Sequence, residues 1–138
     1  MHDELQRFRI FAENTLDLIC ETTLDGFYTY LSPNYRDVLG YEPAELLGQH
    51  FSALLHPNDQ EAVLAAFGRH SSDLTPGRAT FRYRHKDKSW RWLETTGKPF
   101  PYPPDAAFRA VFVSRDITER KEAEDGLQRA EDTSRAFP

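Results

Sequence analysis

The chain has 138 residues, 39% of them apolar and 13% aromatic, so it can fold as one domain, which excludes an intrinsically disordered segment. Its formal net charge of −5 argues against non-specific nucleic-acid binding, which depends on neutralising phosphates with lysine and arginine. Cys20 is the only cysteine, which excludes an intrachain disulfide, and no apolar stretch approaches the ~18 residues of a membrane span. We therefore expect a cytoplasmic domain with no nucleic-acid partner and no direct membrane contact.

An amphipathic helix is predicted at about residues 3–14. Leu5, Phe8 and Phe11 recur at helical spacing, and charged residues fill the positions between them. A helix this short is unstable alone, so its apolar stripe must pack on the domain's own sheet or on a second copy of the chain. We expect Leu5, Phe8 and Phe11 to contribute to a homodimer interface.

A β-hairpin is predicted next, with strands at 17–23 and 27–31. Asp25 and Gly26 lie between two runs of strand-forming residues and supply the positive φ angles that a tight turn requires. A short helix should follow, with Ser32 as N-cap and Pro33 at its first position, and Gly40 should end it.

Three more helical segments are predicted, at 43–47, 51–55 and 56–70. The last is the longest, and Pro57 suits its first turn. Val63, Leu64 and Phe67 lie at helical spacing and should form its buried stripe.

The residue pattern then changes to a period of two, which predicts strands at 78–84, 90–98 and 107–115. Pro99 to Pro104 should form the loop before the last strand, because proline cannot donate a ladder hydrogen bond. The last strand is apolar on both faces around Phe112, so it should be central in the sheet. The clustered strands and helices predict an α+β fold, with a five-stranded antiparallel sheet covered on one face by helices.

An exit helix is predicted at 119–138, where Ala123, Leu127 and Ala130 form a narrow seam of the kind that two-stranded coiled coils use. Asp116 ends the last strand and, with Glu119, forms an aspartate version of a capping box. Because no flexible linker separates strand and helix, we expect Asp116, Ile117 and Thr118 to relay a signal from the sheet to this helix.

Several phrases, in this order and spacing over about residues 6–132, resemble the PAS family of sensory modules. They are Phe8-Arg9-Ile10-Phe11-Ala12-Glu13-Asn14, Ser32-Pro33-Asn34, Val38-Leu39-Gly40-Tyr41, Glu45-Leu46-Leu47-Gly48, His56-Pro57-Asn58-Asp59, Phe81-Arg82-Tyr83-Arg84-His85-Lys86-Asp87, Trp90-Arg91-Trp92-Leu93 and Arg115-Asp116-Ile117-Thr118-Glu119-Arg120-Lys121. One position departs from the pattern. Lys88 stands where the family usually has glycine after Asp87, so that turn should be strained or differently shaped.

The resemblance implies a small cavity between sheet and helices, and a regulatory role upstream of an output domain such as a bacterial histidine kinase or diguanylate cyclase. We expect a flanking helix at 1–14, a PAS sensor domain at 15–118 and a signalling helix at 119–138. The domain would bind a small ligand or, as the alternative, act as a ligand-free dimerisation and relay module.

No catalytic residues are expected, because the sequence has no phosphate loop, nucleophile elbow or metalloprotease motif. The five histidines have no metal-ligand spacing, and only His70, at the end of the longest helix, resembles the position of a haem ligand in related proteins. Cys20 lies in the first strand, away from the helix that carries the reactive cysteine of flavin-binding relatives. We therefore expect neither haem nor a photoactive flavin.

Aromatic and scattered polar side chains are the candidates for lining a ligand pocket. They are Tyr28, Tyr30, Asn34, Leu39, Leu55, Phe67, Phe81, Tyr83, Trp92, Glu94, Thr96 and Phe112.

Overall fold

The computed structural model describes residues 16–102 and 107–136. Their elements, in chain order, are β1 (Leu18–Thr23), β2 (Tyr28–Leu31), α1 (Tyr35–Leu39), α2 (Pro43–Leu46), a 3₁₀ turn (Phe51–Leu54), α3 (Pro57–Asp73), β3 (Gly77–Arg84), β4 (Trp90–Tyr102), β5 (Ala107–Asp116) and α4 (Thr118–Ala136). The helix predicted at 3–14, with Leu5, Phe8 and Phe11, lies outside the described residues.

The five strands form one antiparallel sheet in the order β2-β1-β5-β4-β3. β5 is central, as its two-sided apolar character predicted, because it pairs with β1 on one edge and β4 on the other. The main core cluster joins side chains of the sheet, such as Leu18 and Leu93, to Leu39 of α1 and Leu46 of α2. The α+β fold with helices over one face is therefore confirmed.

The first hairpin is confirmed at Gly26, whose φ of +96° lies in the left-handed region. Its amide donates to Thr23 O at 2.9 Å, and Thr23 N donates to Phe27 O at the same distance. A Cβ at Gly26 would lie 2.5 Å from His50 Nε2, so a side chain there would displace the His50 ring. Lys88 has a φ of +77°, which confirms the strained turn predicted at this departure from the family pattern.

The predicted N-cap at Ser32 is wrong, since α1 begins at Tyr35 with Asn34 as its N-cap. The Ser32 hydroxyl instead accepts a hydrogen bond from Ile19 N at 3.0 Å, and it also bonds the Asn34 side chain. Asn34 Nδ2 donates to Asp17 O at 2.8 Å. Ser32 and Asn34 thus tie the start of α1 to β1, a tertiary role that local capping rules do not anticipate.

The predicted loop at Pro99 to Pro104 is wrong in its first part, because β4 continues to Tyr102. Pro99 lies opposite Ala110 and Pro101 opposite Phe108 in the ladder with β5. The other neighbour, β3, begins opposite Gly97, so this end of β4 has one edge that pairs with no strand among the described residues. Prolines are tolerated on such an edge, where no ladder donor is needed.

α3 begins at Pro57, as predicted, but it continues to Asp73, one turn beyond the expected end. Its predicted buried stripe is wrong at Leu64, which is 39% exposed. Val63 and Phe67 are half-buried, and both border a cavity that separates α3 from the sheet. α3 packs less closely on the sheet than a core helix does, because that cavity lies beneath it.

Candidate functional site

A cavity of about 100 Å³ lies between the inner face of the sheet and the helices. Its walls come from all five strands on one side and from α1, the 3₁₀ turn and α3 on the other. Apolar side chains such as Val63, Phe81 and Leu93 form most of the wall. The wall contains no aspartate or glutamate of the described residues.

One end of the cavity is closed by two buried tyrosines. Tyr28 and Tyr83 are 2.7 Å apart at their hydroxyl oxygens, and Tyr83 donates to Phe51 O at 3.0 Å. Since the Tyr83 hydroxyl has one proton and gives it to Phe51 O, Tyr28 is the donor of the pair. Burial raises the pKa of Tyr83 and of Tyr28, so both remain protonated donors at neutral pH.

Cys20 and Tyr35 form a second buried pair at the same end. Burial raises the pKa of the Cys20 thiol from 9.0 to about 12, and the hydrogen bond from Tyr35 offsets only part of that effect. The thiol is therefore neutral and a poor nucleophile at physiological pH. Cys20 behaves as a small packed side chain of the cavity wall.

Farther along the cavity, Thr95 of β4 and Ser114 of β5 face each other with their hydroxyl oxygens 2.7 Å apart. Both residues are buried, at 8% and 5% exposure. Two hydroxyls carry two protons and their mutual bond uses one, so the second proton has no acceptor among the described residues. This pair is the one place in the described wall where a buried hydroxyl donor is left over.

The opposite end of the cavity opens where glycine faces glycine, since Gly77 lies opposite Gly97 in the β3–β4 ladder. A Cβ at Gly77 would lie 2.7 Å from His70 Cδ2, and one at Gly97 would lie 2.2 Å from Phe112 Cδ1. Only glycine lets the His70 and Phe112 rings lie this close to the backbone. An outer groove of about 540 Å³ adjoins this opening.

The structure places five of the twelve pocket candidates in the cavity wall: Tyr28, Phe67, Phe81, Tyr83 and Phe112. Leu39 and Leu55 lie in the core cluster but do not border the cavity. Asn34 lies at the N-cap position of α1, and its side chain bonds Asp17 O and the Ser32 hydroxyl instead of lining the cavity.

The remaining four candidates, Tyr30, Trp92, Glu94 and Thr96, lie on the other face of the sheet. On β4 the buried residues Leu93 and Thr95 border the cavity, and successive side chains of a strand point to opposite faces. Trp92, Glu94 and Thr96 therefore point away from the cavity. On β2, a bulge opposite β1 leaves Tyr30 beside Glu21, away from the buried Tyr28.

The pocket candidates chosen from the sequence did not include Cys20, Tyr35, Thr95 and Ser114, which give the cavity its polar character. They also did not include His70, whose ring lies at the opening of the cavity. A usable signal was present on β4. Leu93, Thr95 and Gly97 are alternate residues of the strand, so they lie on the same face of the sheet. A glycine inside a strand often marks a place where another group approaches the backbone closely. The hydroxyl of Ser114 gives no comparable signal until its register with Thr95 is known.

The predicted relay residues connect the sheet directly to α4. The Asp116 carboxylate accepts bonds from Thr118 N at 2.9 Å, from the Thr118 hydroxyl and from Arg91 Nε at 2.9 Å. Thr118 Oγ1 in turn accepts from Trp92 N at 2.9 Å, and Ile117 N donates to Trp92 O. The first turn of α4 is thus bonded to β4 through both backbone and side chains.

A second set of contacts, on the outer side of the β3–β4 hairpin, links α4 to α3. Lys121 of α4 lies 4.8 Å from the centre of the Trp92 ring, and the Arg82 guanidinium lies 5.0 Å from the same ring. Arg82 also binds Asp59, in the first turn of α3, through Nε at 3.0 Å and a terminal nitrogen at 2.8 Å. The Arg82 guanidinium holds the pKa of the Asp59 carboxyl below its usual range, so the pair stays ionised.

Within residues 16–102 and 107–136, no group of three or more histidine, cysteine or acidic side chains is arranged to hold a metal ion. His70 bonds Thr75 Oγ1 through Nδ1 at 2.9 Å. None of the helices in the described part of the chain has the length and apolar character needed to cross a bilayer.

A five-stranded sheet folded over short helices, with a small cavity between them and a helix leaving the last strand, defines a class of sensory and regulatory modules. The PAS fold family model matches residues 28–111, and this chain belongs to the PAS family. A PAS domain is a regulatory module, so the segment is not itself the catalytic part of a protein.

Similar proteins come from fungi and bacteria. The chain is 39% identical over 89 residues to the blue light receptor lreA of Aspergillus flavus, which covers 64% of this chain and 10% of that protein. It is 32% identical over 92 residues to the White collar 1 protein of Neurospora crassa, covering 67% of this chain and 8% of that protein. The chain thus spans about a tenth of the length of these curated relatives.

Among solved structures, a sensory box histidine kinase/response regulator from Burkholderia thailandensis superposes with a TM-score of 0.71 at 26% identity. The match covers 95% of this chain and 99% of that chain. The bacterial origin expected from the sequence is not shown by these comparisons, because the curated relatives include fungal and insect proteins while the solved structures include bacterial ones.

Proposed function

We propose that this PAS domain is the sensory module of a larger signalling protein, and that it binds a small, largely apolar molecule with one hydrogen-bond acceptor. The Thr95–Ser114 pair carries the proposal. A buried hydroxyl proton without an acceptor costs about 1–3 kcal/mol, and a ligand oxygen in the cavity would remove that cost. Apolar walls around one such donor are typical of ligand sites.

The cavity volume sets the size of the ligand. A cavity of about 150 Å³ holds benzene, so 100 Å³ holds about four carbon atoms by proportion. A tricyclic flavin does not fit this space, although one similar protein is named a blue light receptor. Cys20, the one thiol, lies in β1 and is hydrogen-bonded to Tyr35. Haem is likewise larger than this cavity.

The signal would leave through α4. A ligand that moves β4 or α3 also moves groups bonded to α4, because Asp116 and Thr118 attach it to β4 while Lys121, Trp92 and Arg82 connect it to α3. Leu127 of α4 is 63% exposed, and with Ala123 and Ala130 it offers an apolar seam to a second copy. A change in the pairing or rotation of α4 would reach the output domain.

PAS domains commonly dimerise, and we place a homodimer contact on α4 together with Leu5, Phe8 and Phe11. The domain division at 1–14, 15–118 and 119–138, a reducing cytoplasmic location and an output domain such as a histidine kinase or diguanylate cyclase belong to the same proposal. The Burkholderia kinase is the relative that supports a kinase output.

The test is a titration with 2-butanone, which has four carbons and one acceptor oxygen, followed by NMR of the backbone amides. Burying four carbons at about 0.8 kcal/mol each and forming one hydrogen bond of about 1 kcal/mol predict a dissociation constant of about 1 mM, with shifts at Thr95 and Ser114. Ala66→Leu fills the cavity from α3 and should abolish binding. Ala65→Leu, on the exposed side of the same helix, is the matched control and should bind normally.

The ligand-free relay module makes the opposite prediction. If 2-butanone shifts no cavity amide in the wild type, or if Ala66→Leu binds it as well as Ala65→Leu does, the cavity is ordinary core packing. Native mass spectrometry of the purified protein supplies an independent check, since a bound natural ligand would appear as an added mass.

A further inference from the structure

Two histidines hold the helical wall of the cavity through the same kind of bond. His50 precedes the 3₁₀ turn and His56 precedes α3, and each lies at the N-cap position. His50 Nδ1 accepts a hydrogen bond from Ser52 N at 3.2 Å, and His56 Nδ1 accepts one from Asn58 N at 3.1 Å. The usual N-cap side chains are those of serine, threonine, aspartate and asparagine, and none of them changes protonation between about pH 5 and 8. A histidine cap therefore makes the start of a helix sensitive to pH.

Both caps require the neutral imidazole. A ring nitrogen that accepts a hydrogen bond carries no proton, so the proton of each neutral ring lies on Nε2. The contact of His50 Nε2 with Asp25 O at 2.7 Å fits this tautomer, because a carbonyl oxygen only accepts. A second proton would bind Nδ1 and displace the backbone amide from it. The Ser52 hydroxyl, 2.8 Å from His50 Nδ1, could accept that proton, but the Ser52 amide would still lose its acceptor.

The charged groups around His56 do not replace the lost bond. Asp59, in the same first turn of α3, attracts a positive His56, but both of its carboxylate oxygens bind Arg82 of β3. On the β4 side, the His56 ring lies 4.5 Å from the Trp90 ring, and the Arg84 guanidinium lies 5.6 Å from the same indole. A charge on His56 would also lie at the N-terminus of α3, which is the positive end of the helix dipole.

His85 forms the same bond in a different setting. Its Nδ1 accepts from Asp87 N at 3.0 Å in the β3–β4 turn, outside the cavity wall. The Asp87 carboxylate lies 3.2 Å from the same nitrogen, so a protonated His85 exchanges the amide bond for an ion pair. The His50 ring, by contrast, contacts one ionisable residue among the described residues, Asp25, through its backbone oxygen. His85 is therefore a matched control for the two caps.

The part of the wall that these caps hold is weakly anchored. It includes Phe51 of the 3₁₀ turn and Val63, Ala66 and Phe67 of α3, which all line the cavity. Neither the 3₁₀ turn nor α3 has a fully buried residue. Segments with few buried contacts open locally at a low cost in free energy. When part of the protein population has an open wall, the apparent affinity for a ligand falls in proportion to the closed fraction.

We infer, on the basis of the function proposed above, that protons are a second input to this domain. Protonation of His50 and His56 releases the caps of the 3₁₀ turn and α3, loosens the helical wall and lowers the affinity of the cavity for its ligand. Because the fold favours the neutral rings, binding is strongest above the range in which histidine titrates and is lost as the pH falls through it. That range is centred near about pH 6.5 for a histidine in an unfolded chain.

The caps are tested first without ligand. NMR of the ring nitrogens at about pH 7.5 should show the Nε2–H tautomer for His50, His56 and His85. From about pH 7.5 to about pH 5, the protection of the Ser52 and Asn58 amides against hydrogen exchange, corrected for the intrinsic rate at each pH, should fall about fivefold, as expected for a lost cap. Unchanged protection at both amides, or the Nδ1–H tautomer at His50 and His56, would overturn the inference.

The coupling to the ligand is tested with 2-butanone, which has no ionisable group, so a pH dependence of its affinity comes from the protein. We expect its dissociation constant to rise about fivefold from about pH 7.5 to about pH 5. His56→Asn keeps a cap acceptor that does not titrate, so the rise should shrink to about twofold, the part that His50 supplies. His56→Ala has no acceptor at either pH and should already bind about twofold more weakly than the wild type at about pH 7.5. His85→Asn, the matched control, should keep the full fivefold rise.

The outcomes separate the two proposals. If 2-butanone binds equally well at both pH values, or if His56→Asn shows the same rise as His85→Asn, the pH inference is overturned and the sensory cavity stands. If 2-butanone binds at neither pH, the sensory cavity itself fails, and the coupling of protons to a ligand fails with it.

Discussion

The two ends of the cavity differ in how their polar groups are satisfied. At the closed end, Tyr28, Tyr83, Tyr35 and Cys20 are buried and bonded to one another or to the backbone. At the open end, the Arg78 and Lys98 side chains lie on the outer face of the sheet without a partner among the described side chains, and inside the cavity the Thr95–Ser114 pair keeps an unused donor.

This difference separates groups that hold the fold together from groups that are available to a ligand. A polar group bonded within the protein offers little to a ligand, because binding would have to break an existing bond. The closed end should therefore determine stability, and the open end should determine binding.

Tyr83→Ala should have the largest effect, because it removes a buried ring and leaves Phe51 O and the Tyr28 hydroxyl without their partner. We expect the free energy of unfolding to fall by about 3–5 kcal/mol, measured by urea denaturation. Arg78→Gln with Lys98→Gln should change it by no more than about 0.5 kcal/mol. If both proteins lost the same free energy of unfolding, the closed end would contribute no more to stability than the open end.

Gly97→Ala should damage both stability and binding, because its methyl group would lie 2.2 Å from Phe112 Cδ1. The Phe112 ring must move, at a cost of about 1–3 kcal/mol, and we expect it to move into the cavity and block 2-butanone. Gly126→Ala is the control, since a Cβ there meets nothing within 4 Å and should stabilise α4 by about 0.5–1 kcal/mol. A Gly97→Ala protein that melts at the wild-type temperature and binds 2-butanone like the wild type would show that the opening of the cavity is not tightly packed.

The Cys20 thiol should make stability depend on pH in the alkaline range. Its pKa is 9.0 when exposed and about 12 when folded, so its contribution is complete below pH 9 and is lost as the pH rises towards 12. The slope approaches about 1.4 kcal/mol per pH unit for this one group. Urea denaturation at about pH 8, 9 and 10 should show a smaller loss in Cys20→Ala than in the wild type. Parallel curves for the two proteins would mean that Cys20 ionises freely in the fold.

Most of the fold could be predicted from the sequence, because its signals are local. The Asp25-Gly26 turn, the glycine that ends α1 and the alternation around Phe81 each depend on a few neighbouring residues. The predictions were wrong where a residue far away in the sequence determines the local structure. Ser32 bonds β1 and does not cap α1, and Pro99 can lie in a strand only because β3 ends opposite Gly97.

The site was harder to predict, since its residues are selected by the face of the sheet on which they lie. The three pocket candidates on β4, Trp92, Glu94 and Thr96, are alternate residues and therefore share one face of the strand. In the structure Trp92 lies between Arg82 and Lys121 on the outer side, and the smaller Thr95 faces the cavity. The alternation was visible in the sequence, but the contact with α4 that covers Trp92 was not.

The central claim, that a ligand in the cavity acts on α4, is tested most directly by amide hydrogen exchange in the first turn of that helix. Exchange would be measured in the wild type, in Asp116→Ala and in the exposed control Asp125→Ala, each with and without saturating 2-butanone. Losing the Asp116 cap costs about 1 kcal/mol, so the core should stay folded and still bind. We predict that 2-butanone changes exchange at residues 117–121 in the wild type and in Asp125→Ala, but not in Asp116→Ala. Ligand binding that leaves exchange in this turn unchanged in the wild type would contradict the account.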